Sequence, residues 1–318
     1  MPDPTSLASH SPDRPIVLTV GKFDGVHIAH QHLLARLRRR AAENDAQTAV
    51  LILYPNPLLV LRPEAAPLAL TSLADRLALL RDQGIHHILV EPFTHELAQT
   101  SADDFIARIL HHLRVVELWE GPGFALGRNR QGTLPYLSHL GERLGFTVHA
   151  VAPFSLLGET VSTSYIRRLL GEGDVARAAW LLGRWHTLAG RVIHGAKRGR
   201  DLGYPTANLD IAADLTVPAH GIYAVRASLD GEAESLLGVA SIGVRPTFDN
   251  GPRSVEVYLL DFDRDIYDRT LRIEFVARLR EERKFESVDA LIEQMGRDVA
   301  SGRAILAEQG NPRLTSPR

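Results

Sequence analysis

The spacing of apolar residues changes character once along this chain, and the change divides it in two. From residue 16 to residue 151, short β-branched runs alternate with stripes of helical period. Residues 16–20 predict a strand that ends at Gly21. Residues 27–42 predict a helix with Leu33, Leu34 and Leu37 on one face. Further strands are expected over 48–54, 87–90, 115–119 and 147–151, and helices over 73–83, 102–113 and 136–144, with Gly145 as the last helix's C-cap. Strand and helix in alternation is the grammar of a parallel, doubly wound α/β sheet. Two short helices are expected at 162–170 and 174–182, capped by hydroxyls and by Asp174.

Past Gly183 the helical period disappears. Strands are expected over 187–193, 221–229, 236–244, 253–261 and 270–279, separated by turns, which is the pattern of a small antiparallel β-barrel. An amphipathic helix over 288–306 closes it. Two domains follow, 16–184 and 185–308, with a loose polar leader at 1–15 and a polar tail at 309–318.

Composition narrows the chemistry. The 318 residues include no cysteine, so disulfides, thiolate catalysis and Cys-ligated zinc are excluded. The net charge of −2 gives no general pull toward nucleic acid or an anionic membrane, and neither is expected as a partner. No apolar run reaches the roughly 18 residues of a membrane span. With no hydrophobic signal core at its start, the chain reads as cytoplasmic.

Four constellations carry candidate chemistry. In 190–208 the glycines Gly195, Gly199 and Gly203 are interleaved with Lys197, Arg198 and Arg200 and followed by Thr206 and Asn208. This suits a phosphate cradle with oxygen ligands for a metal at its end, and equally a basic surface loop with a Pro-Thr turn. His27 and His30 lie three apart at a helix start, where the dipole attracts anions; a surface pair of histidines has the same spacing. Ser162, Ser164 and Arg167 again suit phosphate at a helix N-terminus, or simple capping. Glu256 alternates with Val255 and Val257, so it faces away from them; at a barrel mouth it would be a base, and on an outer face merely solvated.

The order of these motifs resembles the bacterial bifunctional riboflavin kinase/FAD synthetase family. Gly21-Lys22-Phe23-Asp24-Gly25-Val26-His27-Ile28-Ala29-His30 comes first, then Tyr165-Ile166-Arg167 and Gly203-Tyr204-Pro205-Thr206-Ala207-Asn208. Ile242-Gly243-Val244-Arg245-Pro246-Thr247, Val255-Glu256-Val257 and Arg280-Glu281-Glu282-Arg283-Lys284-Phe285 follow. The resemblance implies a nucleotidyltransferase-like first domain and a kinase barrel. The barrel would phosphorylate riboflavin to FMN with ATP, and the first domain would adenylylate FMN to FAD. By this likeness Thr206 and Asn208 bind Mg²⁺, Gly195 to Gly203 wrap the nucleotide, Glu256 is the base, and Arg280 and Phe285 meet the flavin. His27, His30 and Arg167 would hold phosphates in the first domain. Three positions depart from the family pattern: Ala29 for a glycine, Asn56 for a histidine, and Gly123 for Asp or Asn. Two other readings therefore stay open, a kinase with a degenerate first domain and a non-catalytic flavin- or nucleotide-binding regulator.

Overall fold

The computed structural model describes residues 6–9, 13–156, 158–195, 199, 202–244 and 253–308. The chain divides into two compact units, with 69–71 and everything from Thr163 onward in the second.

The first unit runs β1 (Ile16–Gly21), α1 (Ile28–Glu43), β2 (Gln47–Tyr54), α2 (Pro57–Leu61), α3 (Leu73–Asp82), β3 (His87–Pro92), α4 (His95–Gln99), α5 (Ala102–His112) and β4 (Val115–Glu120). A small ribbon of β5 (Ala125–Leu126) and β6 (Gly132–Thr133) leads into α6 (Leu134–Leu144) and β7 (Thr147–Ala150), and β8 (Ser155–Leu156) pairs with β9 (Glu159–Thr160). The main sheet is parallel, in the order β3-β2-β1-β4-β7. It is doubly wound, as expected. Successive residues of β1 enter opposite cores: Ile16, Leu18 and Val20 pack with Phe105, Ile109 and Leu137, while Val17 packs with Leu34, Leu37 and Leu80. Gly145 ends α6 in the left-handed conformation, as the sequence expectation has it. α1 is tied to the sheet by Arg40, whose guanidinium donates to the buried Glu117 carboxylate at 2.6 Å.

The second unit runs α7 (Thr163–Glu172), α8 (Val175–Leu182), β10 (His186–Ile193), β11 (Thr206–Asp210), β12 (Gly221–Leu229), β13 (Leu236–Val244), β14 (Arg253–Leu259), β15 (Thr270–Arg280) and α9 (Val288–Glu308). Six antiparallel strands close into a barrel in the order β10-β11-β14-β13-β12-β15. Tyr223, Val225, Ala240, Ile242, Val257 and Phe275 are fully buried, and closure leaves no free sheet edge.

Two expectations change. The sequence reading has five barrel strands; the sixth, β11, is the Thr206–Asp210 segment that it treats as a loop end. Pro205 and the polar Thr206, Asn208 and Asp210 mask the signal, although Thr-Ala-Asn-Leu-Asp alternates strictly in polarity. The expected boundary at 184/185 differs from the observed division after Ser162, because α7 and α8 pack on the barrel. Ala179 of α8 shares an apolar cluster with Ala224, Val276 and Leu306, and Ala219 donates its backbone N–H to Leu170 at 2.8 Å. Arg278 adds donation to the Glu172 and His220 carbonyls.

Candidate active sites

In the barrel unit, strand register builds the site. Asn208 of β11 pairs with Glu256 of β14, Glu256 with Ser241 of β13, Ser241 with Ile222 of β12, and Ile222 with Arg280 of β15. A parallel row runs Thr206, Tyr258, Val239. Directly paired antiparallel residues share a face. The rows form the floor of a cavity of about 240 Å³, reached by Thr206, Tyr258, Val239, Glu256, Ser241, Ile222 and Arg280. Leu291, Met295, Asp298 and Val299 of α9 roof it, at the spacing of one helical face. Glu256 thus faces away from Val255 and Val257 as expected. Its face is the outer wall of the barrel, and α9 covers that wall so that the carboxylate is half-buried rather than solvated.

The Thr206 hydroxyl donates to Glu256 Oε2 at 3.1 Å. Thr206 also lines a second cavity of about 370 Å³, with Pro205, Phe262, Asp263, Arg264, Asp265 and Tyr267 along it. Gly195 and Gly199 lie close against the ligand candidates Asn208 and Thr206. A Cβ at Gly195 would collide with the Asn208 side-chain amide, and one at Gly199 with the Tyr204 carbonyl oxygen. Neither position tolerates even alanine without movement. Lys197, Arg198 and Arg200, and the Arg245-Pro246-Thr247 part of the resemblance, lie outside the described residues.

Arg280 is held by Asp298, its Nε and Nη2 donating to the carboxylate at 2.8–3.1 Å. Its Nη1 donates to the Glu281 carbonyl at 2.9 Å, and the guanidinium lies 5.6 Å from the Phe285 ring centre. Sequence reasoning missed Asp298. The available signal is an acid at a position of α9 where Leu291, Met295 and Val299 set an apolar stripe.

In the first unit, the chain leaves β1 where the strand order reverses between β1 and β4, the crevice where open α/β sheets bind ligands. Phe23, Gly25 and Val26 turn it with positive φ. Asp24, buried, pairs with the equally buried Arg76 at 3.2 Å, and Arg76 also donates to the Lys22 carbonyl. The turn thereby delivers His27 as the N-cap of α1. The His27 and His30 rings stack with centroids 3.7 Å apart. Ser162 closes this unit, whereas Ser164 and Arg167 stand on α7 and belong to the barrel unit.

Beneath the turn lies Glu120, 4% exposed, at the end of β4. The β1–β4 ladder reaches only Leu18, and Glu120 Oε1 then accepts from the Val20 N–H at 2.5 Å. Burial pushes this carboxyl well above its ordinary value of 4.5; the Val20 and Thr19 hydrogen bonds oppose the shift without cancelling it. A raised folded pKa contributes stability that is complete below 4.5 and lost as pH rises through the folded value. Glu120→Gln keeps the acceptor and cannot ionise. Its melting temperature is expected to gain on the wild type progressively as pH is raised from 4.5 upward. Parallel melting curves across that range would refute the assignment.

Comparison with known proteins separates the readings. The chain matches the FAD synthetase family model over residues 9–165 and the riboflavin kinase family model over 182–306. It is 43% identical to the bifunctional riboflavin kinase/FMN adenylyltransferase of Pseudomonas fluorescens, over 92% of this chain and 94% of that one. It is 35% identical to the protein of that name in Escherichia coli K12, over 93% and 94%. The chain belongs to the bifunctional riboflavin kinase/FMN adenylyltransferase family. A crystal structure from Streptococcus pneumoniae, described as a macrolide-efflux protein, superposes with a TM-score of 0.85 at 28% identity, covering 94% of this chain and 97% of that chain. Among the described residues no helix is long and apolar enough to cross a membrane.

Within the riboflavin kinase/FMN adenylyltransferase fold, the three departures have distinct local settings. Asn56 caps α2, its Oδ1 accepting from the Leu58 N–H at 3.2 Å. A Cβ at Gly123 would meet nothing within 4 Å, so packing does not impose glycine there. Ala29 sits half-buried in the first turn of α1.

Proposed function

We propose that the barrel unit transfers the γ-phosphate of ATP to the ribityl hydroxyl of riboflavin, its two cavities dividing the substrates between them. The observation that carries this is Thr206, which lines both cavities, while Glu256 lines only the smaller. The smaller cavity takes riboflavin. Three strand spacings separate Glu256 from Arg280 along the row, about 14 Å, enough for a ribityl chain followed by the ring system. The aliphatic Ile222, Val239, Leu291, Met295 and Val299 suit an apolar ring, and Phe285 beside Arg280 extends that end. The larger cavity, with Phe262, Tyr267 and several charged residues, takes the nucleotide.

Glu256 accepts the proton of the attacking hydroxyl. Thr206 fixes one carboxylate oxygen by donation, and Oε1 takes no hydrogen bond from the described residues. Thr206 and Asn208 offer neutral oxygens beside that carboxylate, a donor set of the hard kind Mg²⁺ takes together with phosphate oxygens. When bound, the ion supplies neutralisation of phosphate charge. Gly195 and Gly199 lack the Cβ atoms that would meet the Asn208 amide and the Tyr204 carbonyl, which leaves room beside the ligand candidates for phosphate oxygens.

The first unit adenylylates FMN at the β1–α1 turn. His27 and His30 hold phosphate at the helix N-terminus, the stacked rings sharing one orientation toward it. Incubating the full chain with riboflavin, ATP and Mg²⁺ and resolving the flavins over time tests both halves. FMN should rise first and FAD follow at its expense. No FMN would overturn the kinase assignment; FMN without FAD at long times and high enzyme would overturn the adenylyl transfer.

A further inference from the structure

α9 carries one charge into the cavity roof. Asp298 is 6% exposed and stands in the stripe set by Leu291, Met295 and Val299. An aliphatic residue there would pack against the barrel without desolvating a carboxylate, and buried ion pairs are weak devices for stability. Yet this carboxylate is thoroughly organised. It takes donation from Arg280 Nε and Nη2, and Gln294, one turn earlier on α9, donates to its Oδ1 at 2.8 Å. Gln294 in turn accepts through Oε1 from Arg283 and Arg297. Phe285 lies against the guanidiniums of both Arg280 and Arg283.

The hydrogen bonds of Arg280 to described residues engage three of its five N–H donors: Nε, one on Nη2 and one on Nη1. One N–H on each terminal nitrogen takes no acceptor among the described residues, and the hold on Nε and Nη2 fixes the plane in which both lie. A guanidinium held along one edge presents its remaining donors in a fixed plane, where one from each terminal nitrogen can act as a fork. Acceptors on the heterocyclic ring of a flavin, paired carbonyl oxygen and ring nitrogen, match such a fork.

We propose that Asp298 is a positioning residue of the kinase half, holding Arg280 so that its outer edge recognises the acceptor edge of the flavin ring. This rests on the assignment of riboflavin to the smaller cavity.

Three variants of the full chain test it: Asp298→Asn, Arg280→Gln, and the two together. The double variant replaces the ion pair by two amides and leaves no unpaired charge, which keeps a folded form available. Initial rates of FMN formation are read against riboflavin and ATP separately, with melting temperature alongside. Asp298→Asn should raise the KM for riboflavin about 10- to 100-fold, with the KM for ATP and kcat within about threefold. Arg280→Gln should do the same, and the double variant should match Arg280→Gln alone, since Asp298 acts through the arginine. If Arg280→Gln raises the riboflavin KM and Asp298→Asn shifts only the melting temperature, the positioning role is overturned and the cavity assignment stands. If Arg280→Gln leaves the riboflavin KM unchanged, the cavity assignment falls, and the proposal with it.

Discussion

Glu256→Gln is expected to slow FMN formation by about 10²- to 10⁴-fold, with the KM values for riboflavin and ATP within a few-fold. Glutamine has the size of glutamate and keeps an oxygen to accept from the Thr206 hydroxyl, so the local hydrogen bond survives. The row from Asn208 to Arg280 is set by backbone register and does not depend on the charge. What disappears, on the proposed mechanism, is the basic oxygen that takes the proton of the attacking hydroxyl. Loss concentrated in kcat is therefore the signature of a base, whereas a binding role would appear in KM. FMN formation within threefold of wild type would remove Glu256 from the mechanism.

Gly195→Ala should cost the kinase on the order of 10²-fold in kcat, although it adds a single methyl group remote from the transferred proton. The new Cβ would occupy the space of the Asn208 side-chain amide. Asn208 is buried and paired across to Ile193 and Glu256, so its backbone cannot retreat; its side chain must rotate away or the glycine segment must lift. Either movement changes the spacing between Gly195 and the metal-ligand candidate Asn208. Asn208→Ala should produce a comparable loss, and the double variant little more than either alone, because both act on one arrangement. The concentration of Mg²⁺ giving half-maximal rate should rise in each. Additive losses, or an unchanged Mg²⁺ response in Gly195→Ala, would separate the glycine from the ligand set. FAD formation from supplied FMN should continue in both variants, since the first unit is untouched.

The legible parts of this protein are those in which a residue's meaning is carried by its near neighbours in sequence. The strand-turn-helix of Ile16 to Glu43 is readable from periodicity and a glycine, and His27 does stand at the helix start. The alternation of Val255, Glu256 and Val257 fixes that the glutamate faces away from the valines. It does not fix what lies on that side. The structure puts the outer barrel wall there with α9 above it, and coverage by a helix some thirty positions later converts a solvated carboxylate into one lining a cavity. Asp298 was unreadable for the complementary reason: its partner Arg280 lies on β15, and only folding brings strand and helix together. β11 was hidden by its composition, because its polar candidate-site residues, Thr206 and Asn208, are poor advertisements for a strand.

The sequence by itself determined the two-part architecture and the family, and it named candidate residues for the kinase site. Those depend on local periodicity and on ordered motifs, both of which survive in one dimension. The tertiary structure decided how the motifs combine. Strand register aligned Asn208, Glu256, Ser241, Ile222 and Arg280 across five strands of the barrel. Packing drew α7 and α8 to the barrel unit. Volume exclusion set Gly195 directly against the Asn208 side chain. These are relations between distant segments, set by cross-strand pairing and volume exclusion, and no pattern within either segment encodes them alone.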